Sequence, residues 1–157
     1  MTLFSELFEQ TQERSIIYNN KTIYRAFSIS GPKKMKLKIT FVDKNSKYRQ
    51  GISFNMFTMK GKLSCNGKTI NKGGFDIWED SSPKNFEIDV EIQKGELGIF
   101  NISETVDYRG ISYEVSLDMG MAFYYEEIDT NKYRYYCNDW EPDDDLDDLI
   151  FDIEFVE

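Results

Sequence analysis

Two stretches of this chain alternate residue by residue between apolar and polar side chains, and their charges are opposite. Met35, Leu37, Ile39 and Phe41 interleave with Lys34, Lys36, Lys38 and Thr40, while Phe86, Ile88, Val90 and Ile92 interleave with Glu87, Asp89, Glu91 and Gln93. A period of two puts all the apolar residues on one side of an extended strand. Each stretch is therefore predicted to be a half-buried strand, the first with a cationic outer face and the second with an anionic one. Such strands belong in antiparallel sheets that have one wet face, and opposite charge suits these two to be neighbours.

The rest of the chain is cut by turn signals into similar short pieces. Asn66-Gly67 accepts the positive φ values of a two-residue hairpin turn. Asn19-Asn20-Lys21, between Ser15–Tyr18 and Thr22–Ser30, reads as another hairpin, as does Asp129–Lys132 between Met121–Ile128 and Tyr133–Cys137. Gly31-Pro32, Gly73-Gly74 and Lys94-Gly95 separate further strands at 52–59, 75–78, 97–103, 111–117 and 151–155. Leu3, Phe4, Leu7 and Phe8 recur instead at helical spacing, so residues 2–13 are predicted to form one amphipathic helix covering a sheet. About ten short strands and one N-terminal helix, without β-α alternation, give a mainly β fold: an antiparallel sandwich or partly closed barrel. The length of 157 residues fits a single domain over 1–157.

Charge is distributed unevenly. Residues 1–72 carry fourteen Lys/Arg against four Asp/Glu, and residues 73–157 carry five against twenty-four. The bias peaks in 139–157, where Asp139, Glu141, Asp143, Asp144, Asp145, Asp147, Asp148, Asp152, Glu154 and Glu157 meet no Lys or Arg. The boundary near residue 72 falls between strands of what should be one sheet system, and reads as a boundary between faces.

Three readings of the acidic run stand side by side: a solvated, solubilising surface; internal pairing against Lys34, Lys36 and Lys38; or a surface that masks a basic groove on another protein. The third assigns a function, with Trp140, Asp143, Asp144, Asp145, Asp147 and Asp148 as its partner-binding residues. Asp143-x-Asp145-x-Asp147 imitates the spacing of an EF-hand loop, but Asp148 stands where that loop needs glycine. No tight metal site is therefore expected, and no cofactor.

Several chemistries are disfavoured by residue type. The chain has no histidine and two cysteines, Cys65 and Cys137, so it lacks the usual base for a serine or thiol nucleophile and the commonest metal ligand. No phosphate-binding glycine loop is present. Carboxylate-only hydrolysis is the enzymatic route left, with Glu114, Asp118, Glu126 and Glu127 as the places to look, near Trp78 and Trp140. Tyr124, Tyr125, Tyr133, Tyr135, Tyr136 and Trp140 read as a cross-strand aromatic cluster, or as an exposed platform for a sugar ring or a protein. The start has no signal-peptide pattern and nothing reads as a membrane span, which leads us to expect a cytoplasmic protein with two reduced thiols. A net charge of −9 disfavours nucleic acid as partner. The functional expectation is a non-catalytic acidic binding protein of inhibitor or immunity type, acting on a basic partner protein. The alternatives are a calcium-assisted carbohydrate-binding sandwich and a carboxylate-dependent hydrolase.

Overall fold

The computed structural model describes Phe4, Phe8 and residues 15–116, 121–139, 141 and 145–157. Fourteen strands run through them: β1 Ser15–Tyr18, β2 Lys21–Tyr24, β3 Phe27–Ser30, β4 Lys33–Lys44, β5 Gln50–Asn55, β6 Lys60–Cys65 and β7 Lys68–Ile70. The series continues with β8 Gly74–Trp78, β9 Asn85–Lys94, β10 Glu96–Val106, β11 Ser112–Ser116, β12 Ala122–Asp129, β13 Lys132–Asn138 and β14 Leu149–Val156. They form two antiparallel sheets. One has nine strands in the order β1-β2-β12-β13-β14-β4-β9-β6-β7, and the other has the order β11-β10-β5-β8 with β3 also paired to β10. The fold is an open β-sandwich, not a closed barrel.

The core is where the period-two pattern puts it. Leu37, Ile39, Ile88, Val90 and Ile153 from the large sheet meet Ile52, Phe54, Leu97 and Ile99 from the small one. Each is at most 1 % exposed, and burying such a side chain contributes roughly 1.5–3 kcal/mol. A second, smaller cluster gathers Phe4, Phe8, Ile23, Ala122 and Leu146. Of the helix predicted over 2–13, only Phe4 and Phe8 are described; both are helical and buried, and the rest of that element lies outside the described residues.

The predicted turns form through left-handed backbone. Asn66 and Gly67 have φ of 52° and 76°, and Asn19 and Asn20 have 49° and 64°, the values a two-residue turn needs to match strand twist. Fourteen strands stand where about ten are expected, and one of the additional ones has a local reason. Thr22–Ser30 is not one strand: β2 pairs with β1 and β12, whereas β3 crosses to the other sheet and pairs with β10. The chain changes sheets at Arg25-Ala26, a switch that leaves no mark in the hydrophobic pattern.

The expected pairing of the two opposite-charge strands is present: β4 lies beside β9, with Lys34 opposite Glu91, Lys36 opposite Asp89 and Lys38 opposite Glu87. The acidic strand β14 flanks β4 on its other side. Basic and acidic strands thus alternate within one sheet, and the charge boundary near residue 72 does not divide faces. No helix among the described residues is long and apolar enough to cross a membrane.

Candidate functional site

Side chains on the outer face of the large sheet form rows of alternating sign. Lys132 lies opposite Glu154, Glu154 opposite Lys38, and Lys38 opposite Glu87. The next row runs Arg134, Asp152, Thr40, Asn85. In it the Arg134 guanidinium donates to both Asp152 oxygens at 2.8 and 3.1 Å, and the Thr40 hydroxyl donates to Asn85 at 2.8 Å. Asp152 is only 4 % exposed, so this bidentate pair is the buried member of the ladder. Lys36 reaches Glu87 at 3.2 Å. A shallow groove of about 570 Å³ over this face is lined by both signs. The two strand-borne acids of the C-terminal run on this ladder, Asp152 and Glu154, are thus laid against cations that are distant in sequence.

The remaining acids of that run collect at one end of the sandwich. Strand register brings there the end of β4, the starts of β5 and β14, and the ends of β8, β10 and β13. The loops and strand ends here hold Asp43, Glu79, Asp80, Asp107, Asp139, Glu141, Asp145, Asp147 and Asp148, against Lys44, Lys47, Arg49, Lys84 and Arg109. The arginines are committed: Arg49 binds Asp80 at 2.8 Å and Glu104 at 3.2 Å, and Arg109 binds Asp107 at 3.0 Å. At the opposite end Lys33, Lys60, Lys94 and Lys132 outnumber Glu96, Asp129 and Glu157.

The 139–148 loop is shaped from within. Asp148 is 2 % exposed, and its carboxylate accepts the Asp139 backbone N–H at 2.8 Å. Asp139, equally buried, accepts the Ser46 hydroxyl at 2.6 Å and the Glu141 N–H at 2.9 Å. Asn45 donates to the Asp147 carbonyl at 2.9 Å, and the Tyr48 hydroxyl donates to Glu141 at 3.0 Å. Asn138 accepts the Leu146 N–H, and its own carbonyl accepts from Asn101 of the other sheet. Leu146 has φ of 54°, a left-handed conformation that costs an L side chain roughly 1–2 kcal/mol. Its burial in the Phe4–Phe8 cluster offsets that cost.

Of the sequence-predicted partner residues, Asp145 is exposed, Asp147 half-buried and Asp148 buried; Trp140, Asp143 and Asp144 lie outside the described residues. Carboxylate oxygens of Asp145, Asp147 and Asp148 all come within 4.8 Å of one another. These are the residues that could hold a hard cation, which tolerates irregular oxygen cages.

The hydrolase candidates separate. Glu114 stands opposite Glu104 on the outer face of the small sheet. Desolvation, a hydrogen bond with Asp76 and the charges of Asp76 and Glu104 push its carboxyl up to about 7. Glu126 and Glu127 are exposed on β12 opposite Arg134 and Tyr133, and Asp118 lies outside the described residues. Beneath Glu104, the Arg49 guanidinium stacks over Trp78 at 4.5 Å. Gly51 leaves space for that indole, since a Cβ there would come 2.7 Å from the Ile77 carbonyl and 3.0 Å from the Trp78 ring.

The tyrosines pair with one another. Tyr124 stacks on Tyr136 at 4.6 Å, Tyr135 on Phe151 at 4.8 Å, and Tyr125 meets Phe27 edge-on at 5.3 Å. An aromatic groove of about 400 Å³ at the end remote from the acids is lined by Phe27, Tyr125, Tyr133 and Phe155. Tyr133 meets the Phe155 ring edge-on at 5.7 Å, so these rings are engaged with each other. Both thiols are free. Burial and then the Asp148 charge push Cys137 well up, and burial and Asp89 raise Cys65, so both stay protonated and poorly nucleophilic.

Sequence reasoning missed Asp76 and the Asn45–Tyr48 loop, because their roles depend on partners in other strands. It also passed over the Asp107–Gly110 turn, whose residue types are a legible hairpin signal. Compared with protein-family models, with curated proteins and with solved structures, the chain matches none.

Proposed function

We propose that the protein is a non-catalytic binding protein whose acidic end masks a basic surface on a partner protein, in the manner of an inhibitor or immunity protein. One observation supports this reading: the strand-borne charges of the large sheet neutralise each other laterally, while acids outnumber cations in the loops at one end, where Asp145 is exposed and Asp147 half-buried beside it. Such a cluster attracts a cationic surface, speeds encounter and repels wrong partners. Asp145 and Asp147 are the described members placed to touch a partner. Asp148 and Asp139 act from behind, holding the loop in shape.

The test is capture from native lysate at low salt, with wild-type protein beside an Asp145→Asn/Asp147→Asn variant that keeps Asp148. A basic protein captured at low salt, released at high salt and held several-fold more weakly by the variant would support the reading. Capture that is indifferent to salt and to both substitutions would defeat it.

A second reading, a calcium-assisted carbohydrate-binding sandwich, draws on the closeness of Asp145, Asp147 and Asp148. It requires calcium to raise the melting temperature of the purified protein. An unchanged melting temperature in excess calcium removes it.

A further inference from the structure

The hairpin joining β10 to β11 projects four apolar side chains that the sandwich does not use. Val106 is 50 % exposed, Tyr108 96 %, Ile111 45 % and Tyr113 44 %. Such a tip would ordinarily be loose, yet this one is tied at every step by Asp107. One Asp107 oxygen accepts the backbone N–H groups of Arg109 at 2.8 Å and Ile111 at 3.0 Å. The other accepts the Arg109 guanidinium at 3.0 and 3.1 Å and the Tyr113 hydroxyl at 2.9 Å. The Asp107 carbonyl takes the N–H of Gly110, whose φ of 80° closes the turn. The staple covers no core residue; it fixes the turn backbone on either side of Tyr108 and the Tyr113 hydroxyl. A backbone held in place before docking lowers the entropy cost of seating an exposed aromatic anchor.

The surroundings select the occupant. On the same face, one pleat in from Val106, stand Glu104 and Glu114, with Asp76 bonded to Glu114. The cation beside them, Arg49, is already divided between Asp80 and Glu104. A second copy of this chain would bring the same carboxylates against these, at a net charge of −9 per chain, which opposes self-association here.

We propose that the β10–β11 hairpin is the anchor by which this protein docks a cationic partner protein, with Tyr108 and Val106 entering an apolar recess and partner Arg or Lys side chains meeting Asp76, Glu104 and Glu114. This rests on the reading of the protein as a binder of basic surfaces and names the contact. An arriving cation favours the ionised form of Glu114, so docking releases the proton held there by desolvation and then by Asp76 and Glu104, with Arg49 already divided between Asp80 and Glu104. Affinity therefore rises as pH passes through about 7.

The experiment places a benzoylphenylalanine photo-crosslinker at position 108 of the full chain, with a control at Ile17, which is 83 % exposed on β1. Both are irradiated in native lysate, and the crosslinked chain is identified, purified and titrated. The expected result is a polypeptide of net positive charge, captured from position 108 and not from 17. Its affinity should fall about tenfold or more with Tyr108→Ala, at an unchanged melting temperature, and the pH dependence should flatten in Glu114→Gln. Capture of nothing, of this same chain, or of a chain without net positive charge overturns the proposal, as does full affinity in Tyr108→Ala. If Asp145→Asn/Asp147→Asn weakens binding while Tyr108→Ala does not, the hairpin is wrong and the acidic-binder reading stands. If neither variant nor salt changes affinity, both fall.

Discussion

The charge ladder on the nine-stranded sheet and the 139–148 loop both draw on the acidic C-terminal run, and they treat its carboxylates differently. On the ladder each acid has a cation on the neighbouring strand: Asp152 has Arg134, and Glu154 lies between Lys132 and Lys38. In the loop, Asp139 and Asp148 accept backbone N–H groups and a hydroxyl, and Asp145 and Asp147 crowd Asp148. Sheet register supplies counter-charges at a fixed spacing, whereas a loop has to satisfy its acids with whatever groups it can fold onto. The same residue type therefore closes a sheet face in one place and leaves a negative end in the other.

The largest break in that contrast should come from Asp152→Ala, which leaves the Arg134 guanidinium facing an empty, mostly buried position. Arg134 is a third exposed, so the loss should be about 2–3 kcal/mol, below the usual range for a fully buried pair. Urea unfolding would measure it. A loss under a few tenths of a kcal/mol would mean the ladder is decorative.

Within the loop, Asp148→Ala should cost about 1–3 kcal/mol, because the buried Asp139 N–H loses its acceptor. Asp145→Asn, by contrast, should stay within about 0.5 kcal/mol of wild type, since it relieves crowding and Asp145 is exposed. Equal losses from the two, in thermal melts, would show that the loop's charges are all structural and would erase the distinction between its inner and outer acids.

Charge reversal tests the ladder's register. Lys38→Glu puts like charges directly opposite Glu154 and Glu87, for an expected loss of about 1 kcal/mol that shrinks with added salt. A loss that salt leaves unchanged would point to packing instead.

The smallest effect concerns Glu114 and reads in pH. Its carboxyl is raised to about 7 in the fold against 4.5 for an unperturbed glutamate, so the folded chain holds a proton that the unfolded chain releases first. Stability should be full below about 4.5, fall as pH rises towards about 7 and level off above. The amplitude is reduced because the group is partly solvated. Glu114→Gln should remove this component of the slope, and an unchanged pH profile would show that Asp76 and Glu114 are not coupled.

The legible part of the molecule is what strand periodicity and turn chemistry specify locally. Met35 to Phe41 and Phe86 to Ile92 could be read as half-buried strands, and Asn66-Gly67 as their kind of turn, because these depend only on near neighbours. The change of sheet at Arg25-Ala26 could not, since both β2 and β3 look like ordinary strand. Of the site, Asp145 was visible as an exposed acid, and Asp147, half-buried in the fold, as a member of the same run. Asp148 read the same way, although it is buried, because nothing in a run of aspartates marks which one turns inward. Leu146 does that, through a cluster formed with Phe4 and Phe8 more than a hundred residues away.

By itself the sequence determined an antiparallel β protein with matched cationic and anionic strands, since alternation dictates which side of each strand must leave water. Beyond that one pair of strands, tertiary structure decided which charges meet. Strand order placed β4 between β14 and β9, so lysines from the first half of the chain neutralise acids from the second at strand spacing. The loops, lacking that spacing, kept their excess. Coulomb interaction depends on distance in space, and a linear count of charges carries no information about that distance until the sheets are assembled.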